Sequence, residues 1–256
     1  MSAFGLRIGG MTPFSSIDYP GALSAVIFCQ GCPWRCPYCH NPSLLSSATP
    51  GAVTWGEVER FLASRRGLLD AVVFSGGEPT MQEALLPALL AAKAMGFLVG
   101  LHTGGAFPRL LAQALPHVDW VGIDAKAPFE RYEAVTGVPG SGLAARESLR
   151  RVLASGVAYE VRTTLCWPSL SPEHLLEVAD DIAALGVRVY SLQSCRAGNS
   201  HPTPRSFDGD LFRFAEAVSR VARLFPFFSW PGGGCVRPPG MRDASERRRI
   251  GETNPI

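Results

Sequence analysis

The sequence predicts an α/β fold, a partial, open (βα)6 barrel of the TIM type built on parallel strands. Three observations predict it. Six short runs read as strands, several of them apolar on both faces, as strands covered by helices should be. Helical patterns with their own start and stop signals alternate with those runs. Polar residues able to do chemistry follow the ends of the strands, which is where parallel α/β folds gather their active sites.

The first strand is expected at 22–29 (ALSAVIFC), followed by a cysteine-rich loop. Thr54 and Glu57 form a capping box for a helix that runs to about Arg66 and stops at Gly67. The second strand is 71–75, ended by "SGGEP", and its helix spans 81–95 before Gly96. The third strand is 97–103, ending in "HTGG", and the fourth is 120–124, running into "DAK". A helix at 143–155 stops at Gly156 and leads to the fifth strand, 159–164, which contains Arg162. Ser171, Pro172 and Glu173 supply an N-cap, a first-turn proline and a first-turn acid for a helix ending at Gly186. The sixth strand is 187–193, and a last helix is expected at 208–223. Six units are too few for the closed eight-stranded barrel, hence a partial one. The barrel domain is assigned to 1–230, and the Pro-, Gly- and Arg-rich remainder, 231–256, to a mobile tail.

Composition sets the frame. The chain has 256 residues, 46% of them apolar, enough for a sizeable core, and a formal net charge of +2 gives no nucleic-acid footprint. The most apolar long stretch, 84–101, is broken by Pro87, Lys93 and Gly96, so no membrane span is expected. Seven cysteines without a secretory leader imply a reducing, cytoplasmic setting, where clustered thiols bind metal or do chemistry. Only two of the 24 basic residues are lysines, Lys93 and Lys126, so a lysine at a strand end asks for a specific reason.

Four cysteines, Cys29, Cys32, Cys36 and Cys39, crowd one loop, while the others lie apart at 166, 195 and 235. Soft thiolates select zinc, copper(I) or iron–sulfur clusters. Four ligands would close a site, whereas the C-x3-C-x2-C subset alone would leave one iron of a cubane open. Cys29 is either the buried end of the first strand or a spare ligand.

"CPWRCPYC" (32–39) resembles the C-x3-C-x-aromatic-C motif of the radical S-adenosylmethionine enzymes. The wider "SSIDYPGALSAVIFCQGCPWRCPYCHNP" resembles the N-terminus of the glycyl-radical-enzyme activases, and most of all that of the anaerobic ribonucleoside-triphosphate reductase activating proteins. The resemblance implies Cys32, Cys36 and Cys39 as ligands of a [4Fe–4S] cluster, with the fourth iron chelated by S-adenosylmethionine. It implies Tyr38 beside the adenine. It implies Gly76, Gly77 and Glu78 of the "GGE" motif at the methionine moiety, Glu78 acting directly or by fixing its loop. Thr103 is retained from the family's H/D-T-N-G, but Gly104 replaces the asparagine. Asp124 and Lys126 match the D-x-K motif, and Lys126 suits a carboxylate. Arg162 is a candidate clamp for a carboxylate, and Asp18 of "IDYPG" matches an aspartate placed near the substrate glycine loop.

The implied activity is reductive cleavage of S-adenosylmethionine, followed by formation of a glycyl radical on a partner enzyme, expected to be an anaerobic ribonucleotide reductase. Flavodoxin or a similar reductant is the expected electron donor, with neither nucleic acid nor membrane as partner. Two alternatives stand beside it: a radical enzyme of the same superfamily acting on a small molecule, as 7-carboxy-7-deazaguanine synthase does, and a non-catalytic four-cysteine zinc module.

Overall fold

The computed structural model describes residues 3–166, 170–195 and 211–230. All six expected strands are present, as six consecutive parallel strands: β2 (Ser24–Cys29), β3 (Ala71–Gly76), β4 (Leu98–Thr103), β5 (Trp120–Asp124), β6 (Ala158–Leu165) and β7 (Val189–Ser194). Two more extend the sheet. β1 (Ile8–Ser15) pairs antiparallel with β2, and the short β8 (Phe227–Ser229) pairs parallel with β7. The sheet order is β1 to β8 in sequence, and β8 does not return to β1, so the sheet stays open. The expected tail at 231–256 lies outside the described residues.

The helices form where their boundary residues dictate. The Thr54–Glu57 capping box is made on both sides and opens α1 (Trp55–Ala63). α2 (Leu85–Ala94) starts later than its apolar pattern suggests, because Pro79 first supports a separate 3-10 turn, Pro79–Met81. α3 (Pro108–Ala114) and α4 (Tyr132–Thr136) are too short to show a helical repeat in sequence. α5 (Ser141–Ser155) stops at Gly156 in the left-handed conformation. In α6 (Pro172–Ala184) the Ser171 side chain accepts the N–H of His174, and Leu175, Ala179 and Ile182 are buried as one face. α7 (Leu211–Ala222) lies between β7 and β8.

The strands are buried on both sides, for different reasons. The helix-facing side carries the main core, with Ile27, Val72, Phe74, Val99, Leu101, Val121 and Val161 against the helices. The inner side carries a smaller cluster of Tyr19, Val26, Val73 and Trp120. Side chains alternate along a strand, so every second residue faces inward toward the upper end of that inner side. Register brings the strand ends level: Cys29 stands opposite Gly76, Asp124 opposite Arg162, and Leu165 opposite Ser194. Among the described residues no helix is long and apolar enough to cross a membrane.

Candidate active site

The cysteine loop leaves β2 and returns beside β3. Its backbone is tied down at Gly31, whose N–H donates to Leu44 O (2.8 Å), and at Cys32, whose N–H donates to Leu45 O (3.1 Å). Cys32 and Cys36 are half-buried against an apolar cluster of Trp34, Tyr38, Ala127, Tyr132 and Val135. Cys39 is also half-buried, and its N–H donates to Cys36 O at 3.1 Å. Cys29 is different. It is fully buried in the main core, where desolvation pushes its thiol far up.

Four thiols therefore do not share one environment. Three sit on the loop at the sheet's carboxyl edge and one sits inside the fold, so a closed four-thiolate zinc site is not formed. Among the described residues no three His, Cys, Asp or Glu side chains gather tightly enough for a single metal ion. Three soft, half-buried sulfur donors spread over one loop fit a polynuclear cluster instead. Burial holds the Cys32 thiol at about 12 and raises that of Cys36, so thiolate ligation releases protons.

The "SGGEP" turn packs directly on this loop. The Gly77 N–H donates to Cys29 O (2.9 Å) and the Glu78 N–H to Gly31 O (2.8 Å). A Cβ at Gly76 would lie 2.5 Å from Cys29 N, and one at Gly77 would lie 2.2 Å from Gly31 O. The two glycines are thus required by backbone contact within the protein itself.

Glu78 is buried and acts as a hub. Its Oε1 accepts from Thr80 N (3.1 Å), Thr80 Oγ1 (2.6 Å) and Thr103 Oγ1 (2.7 Å), and its Oε2 accepts from Gly104 N (2.9 Å). Burial raises its carboxyl pKa, against the pull of these donors. Of the two roles the sequence left open, loop fixation is visible directly. Thr103 adds a bond from Gly105 N (2.9 Å) and so continues the link along β4's end.

Asp124 stands at the end of β5 between two cations. Its Oδ2 accepts from Lys126 Nζ (2.8 Å) and its Oδ1 from Arg162 (3.3 Å). Burial acts to raise the Asp124 carboxyl, but Lys126 and Arg162 outweigh it and hold it at about 2. Burial likewise disfavours the Lys126 ammonium, yet Asp124 keeps it well above the ordinary lysine value. The trio thus carries one surplus positive charge. The other lysine, Lys93, pairs with Asp119 at 2.9 Å at a more exposed place.

Tyrosines frame this trio. Tyr132 Oη accepts the Lys126 N–H (2.9 Å) and donates to Asp124 O (3.0 Å). Tyr38 is buried, and its Oη donates to Lys126 O at 3.3 Å, joining the cysteine loop to β5.

Asp18 lies in the turn after β1 and accepts from Ser15 Oγ at 2.5 Å. The Asp18 carbonyl accepts from His102 Nε2 (2.9 Å), which leaves Nδ1 to accept from Ser75 Oγ (3.3 Å). Burial and the Arg162 charge push this imidazole down to about 3, so it is neutral. Deeper inside, Arg162 Nε and Trp120 Nε1 are buried without a partner among the described residues, and Arg162 Cζ lies 5.9 Å from the Trp120 ring.

The structure thus gathers the sequence-assigned residues at the carboxyl edge of β2 to β6, except Asp18, which follows β1 at the amino end of β2 and reaches the strand-end residues through the bond from His102 to its carbonyl. Sequence reasoning missed Trp34, which covers Gly104 and approaches Lys126 with 6.0 Å from ring centroid to Nζ. It also missed Tyr132, which follows β5 by a few residues and carries no motif. The only sequence signal for Trp34 was the anomaly at Gly104.

Comparison with known proteins agrees with this arrangement. Residues 26–190 match the radical SAM superfamily. A provisionally named glycyl-radical enzyme activating enzyme of Methanocaldococcus jannaschii is 30% identical over 185 residues, covering 68% of this chain and 75% of that protein. The pyruvate formate-lyase-activating enzyme of Clostridium pasteurianum is 31% identical over 184 residues, covering 69% and 76%. Among solved structures, Streptococcus suis SuiB bound to S-adenosylmethionine superposes with a TM-score of 0.60 at 16% identity, over 80% of this chain. The matched part is 49% of SuiB, so this chain spans about half the length of that protein. QueE from Escherichia coli gives 0.52 at 18% identity, over 88% of this chain and 93% of QueE. These last two likenesses concern the fold. The family match, spanning the cysteine loop and the strand ends that surround it, establishes that the chain belongs to the radical SAM superfamily and is a radical SAM enzyme, with a [4Fe–4S] cluster and S-adenosylmethionine as its cofactors.

Proposed function

We propose that this chain is a glycyl-radical-enzyme activating enzyme. The observation that carries the reading is the pair of relatives at 30% and 31% identity, each covering more than two thirds of this chain and each named for that activity. Cys32, Cys36 and Cys39 would hold the cluster, leaving one iron for the amino and carboxylate groups of S-adenosylmethionine. Bound together, the two cofactors would supply one-electron reductive cleavage and hydrogen-atom abstraction.

The chain's own residues bind and orient. Lys126, kept charged by Asp124, offers the surplus positive charge to the methionine carboxylate. Gly76, Gly77 and Glu78 hold the β3 turn against the cysteine loop, and Glu78 with Thr103 sets the start of the β4 turn. Tyr38, Trp34 and Tyr132 form an apolar wall that excludes water beside the cysteines and gives an adenine a face to stack on. Arg162 Nε and Trp120 Nε1 lie buried without partners inside the barrel, two N–H donors that a shift of these side chains would turn to the carbonyl oxygens of an entering peptide. Asp18 stands in the turn at the amino end of β2, where a peptide entering from that end would meet it.

The partner we assign is an anaerobic ribonucleoside-triphosphate reductase, on the strength of the resemblance of "SSIDYPGALSAVIFCQGCPWRCPYCHNP" to that subfamily of activases, with flavodoxin or a similar cytoplasmic reductant as donor. The test is electron paramagnetic resonance of anaerobic mixtures with candidate reductases and with pyruvate formate-lyase. A glycyl doublet with the reductase supports the assignment. A doublet only with pyruvate formate-lyase moves the partner and keeps the activity. S-adenosylmethionine cleavage with no glycyl radical on any partner points to a small-molecule substrate and overturns the reading.

A further inference from the structure

Cys166 and Cys195, far apart in sequence, meet at the mouth of the barrel. β6 and β7 pair in register up to Leu165 opposite Ser194, so the two cysteines occupy the next rung. The Cys195 N–H donates to Leu165 O at 3.2 Å, which continues the ladder past the strand end. Side chains alternate, so Cys166 shares a face with Arg162 and Thr164, and Cys195 shares one with Ser191 and Gln193. That is the inner face, the one carrying the Asp124–Arg162 pair.

The two sulfurs are 3.1 Å apart and both thiols are reduced. Strands in one sheet lie about 4.8 Å apart, within the Cα separation of about 4.4–6.8 Å that a disulfide accepts. Bringing the sulfurs from 3.1 Å to the bonded distance takes a movement of roughly 1 Å, within reach of small χ1 adjustments. Both side chains pack in the apolar cluster that also holds Trp34, Tyr38, Cys32 and Cys36. Exposure differs between them: Cys166 is 7% exposed, whereas Cys195 is only half-buried.

We propose that Cys166 and Cys195 form a redox-active dithiol site at the barrel mouth, oxidised to a disulfide by low-molecular-weight disulfides such as oxidised glutathione. Cys195, the accessible thiol, attacks first. It forms a mixed disulfide and releases one small-molecule thiol. Cys166 then attacks Cys195 Sγ, forms the Cys166–Cys195 bond and releases the second. The protein loses two electrons and two protons, and one external disulfide becomes two thiols. The bond staples β6 to β7 beside Arg162, and a dithiol reductant reverses it. Nothing in this chemistry depends on which substrate the enzyme activates.

The test uses the full chain, cluster-loaded under anaerobic conditions so that the loop cysteines are occupied, equilibrated in glutathione buffers of increasing oxidation. Thiols are then blocked with N-ethylmaleimide and the protein is digested with trypsin. Mass spectrometry should find peptide 163–188 joined to peptide 189–196, at an occupancy at least tenfold above any other cysteine pair. Dithiothreitol should remove the link. In Cys166→Ser the reaction should stop at a glutathione adduct on Cys195. In Cys195→Ser, Cys166 should stay unmodified. Wild type that stops at an adduct on Cys195, that links either cysteine to Cys235 or to the loop, or that does not react in the most oxidising buffer, overturns the proposal.

Discussion

Trp34 explains the one place where this sequence departs from the motif it resembles. A Cβ at Gly104 would lie 2.5 Å from Trp34 Cζ3 and 3.3 Å from Lys126 Cε. The indole fills the volume an asparagine side chain would need, so the two positions are coupled. Gly104→Asn should destabilise the protein by about 1–3 kcal/mol through overpacking. In a Trp34→Ala background the same change should cost much less, as read from urea unfolding of all four forms. Strictly additive losses would show that the positions do not compete for space. His102 gives a second expectation at this scale. Its imidazole sits at about 3 in the fold, against an ordinary 6.5. As pH falls from 6.5 toward 3 the unfolded chain takes up the proton and the folded one does not, so this contribution to stability is full above 6.5 and shrinks below it. His102→Gln should flatten that part of the stability–pH profile. An equally steep profile in the variant would contradict a neutral, buried imidazole. Residue types at strand ends were legible in the sequence, whereas Trp34 and Tyr132 were not, because their roles rest on tertiary contacts that no spacing encodes.

At the scale of elements, Glu78 joins the ends of β3 and β4, which Ser75 Oγ and His102 Nδ1 also link at 3.3 Å. Four donors, two from Thr80 and one each from Thr103 and Gly104, converge on it in a buried place. Glu78→Ala would leave them without an acceptor, at a cost of about 1–3 kcal/mol for each group that water cannot reach. We expect a loss of roughly 3 kcal/mol or more in urea unfolding, together with weaker S-adenosylmethionine binding. Unchanged stability would mean that the turns after β3 and β4 hold themselves. The elements that sequence showed best were those with local chemistry: the Thr54 capping box, the Ser171–Pro172 start, and the glycine stops at 96, 156 and 186. β1 was missed because "IGGMTPFS" carries two glycines and a proline, which weaken the strand signal yet are tolerated on an edge. β8 has three residues, too few for any period to show.

For the whole molecule, seven parallel strands in sequential order build one edge at which the cysteine loop, the Glu78 hub and the Asp124–Lys126–Arg162 trio meet. That alternation was readable because the six central strands, and the helices with caps and glycine stops between them, signal themselves. Less readable was the division of labour among the cysteines. Cys29 ends a strand in the core and Cys32 begins the loop, yet only their burial separates them. We propose that Cys32, Cys36 and Cys39 alone hold a cluster with one iron open to S-adenosylmethionine. The most direct test is the electron paramagnetic resonance spectrum of the dithionite-reduced, anaerobically reconstituted protein, with and without S-adenosylmethionine. Wild type and Cys29→Ala alike should give a [4Fe–4S] signal whose shape changes on adding S-adenosylmethionine, and Cys36→Ala should give no such signal. A signal indifferent to S-adenosylmethionine, or one lost equally in Cys29→Ala, would contradict it.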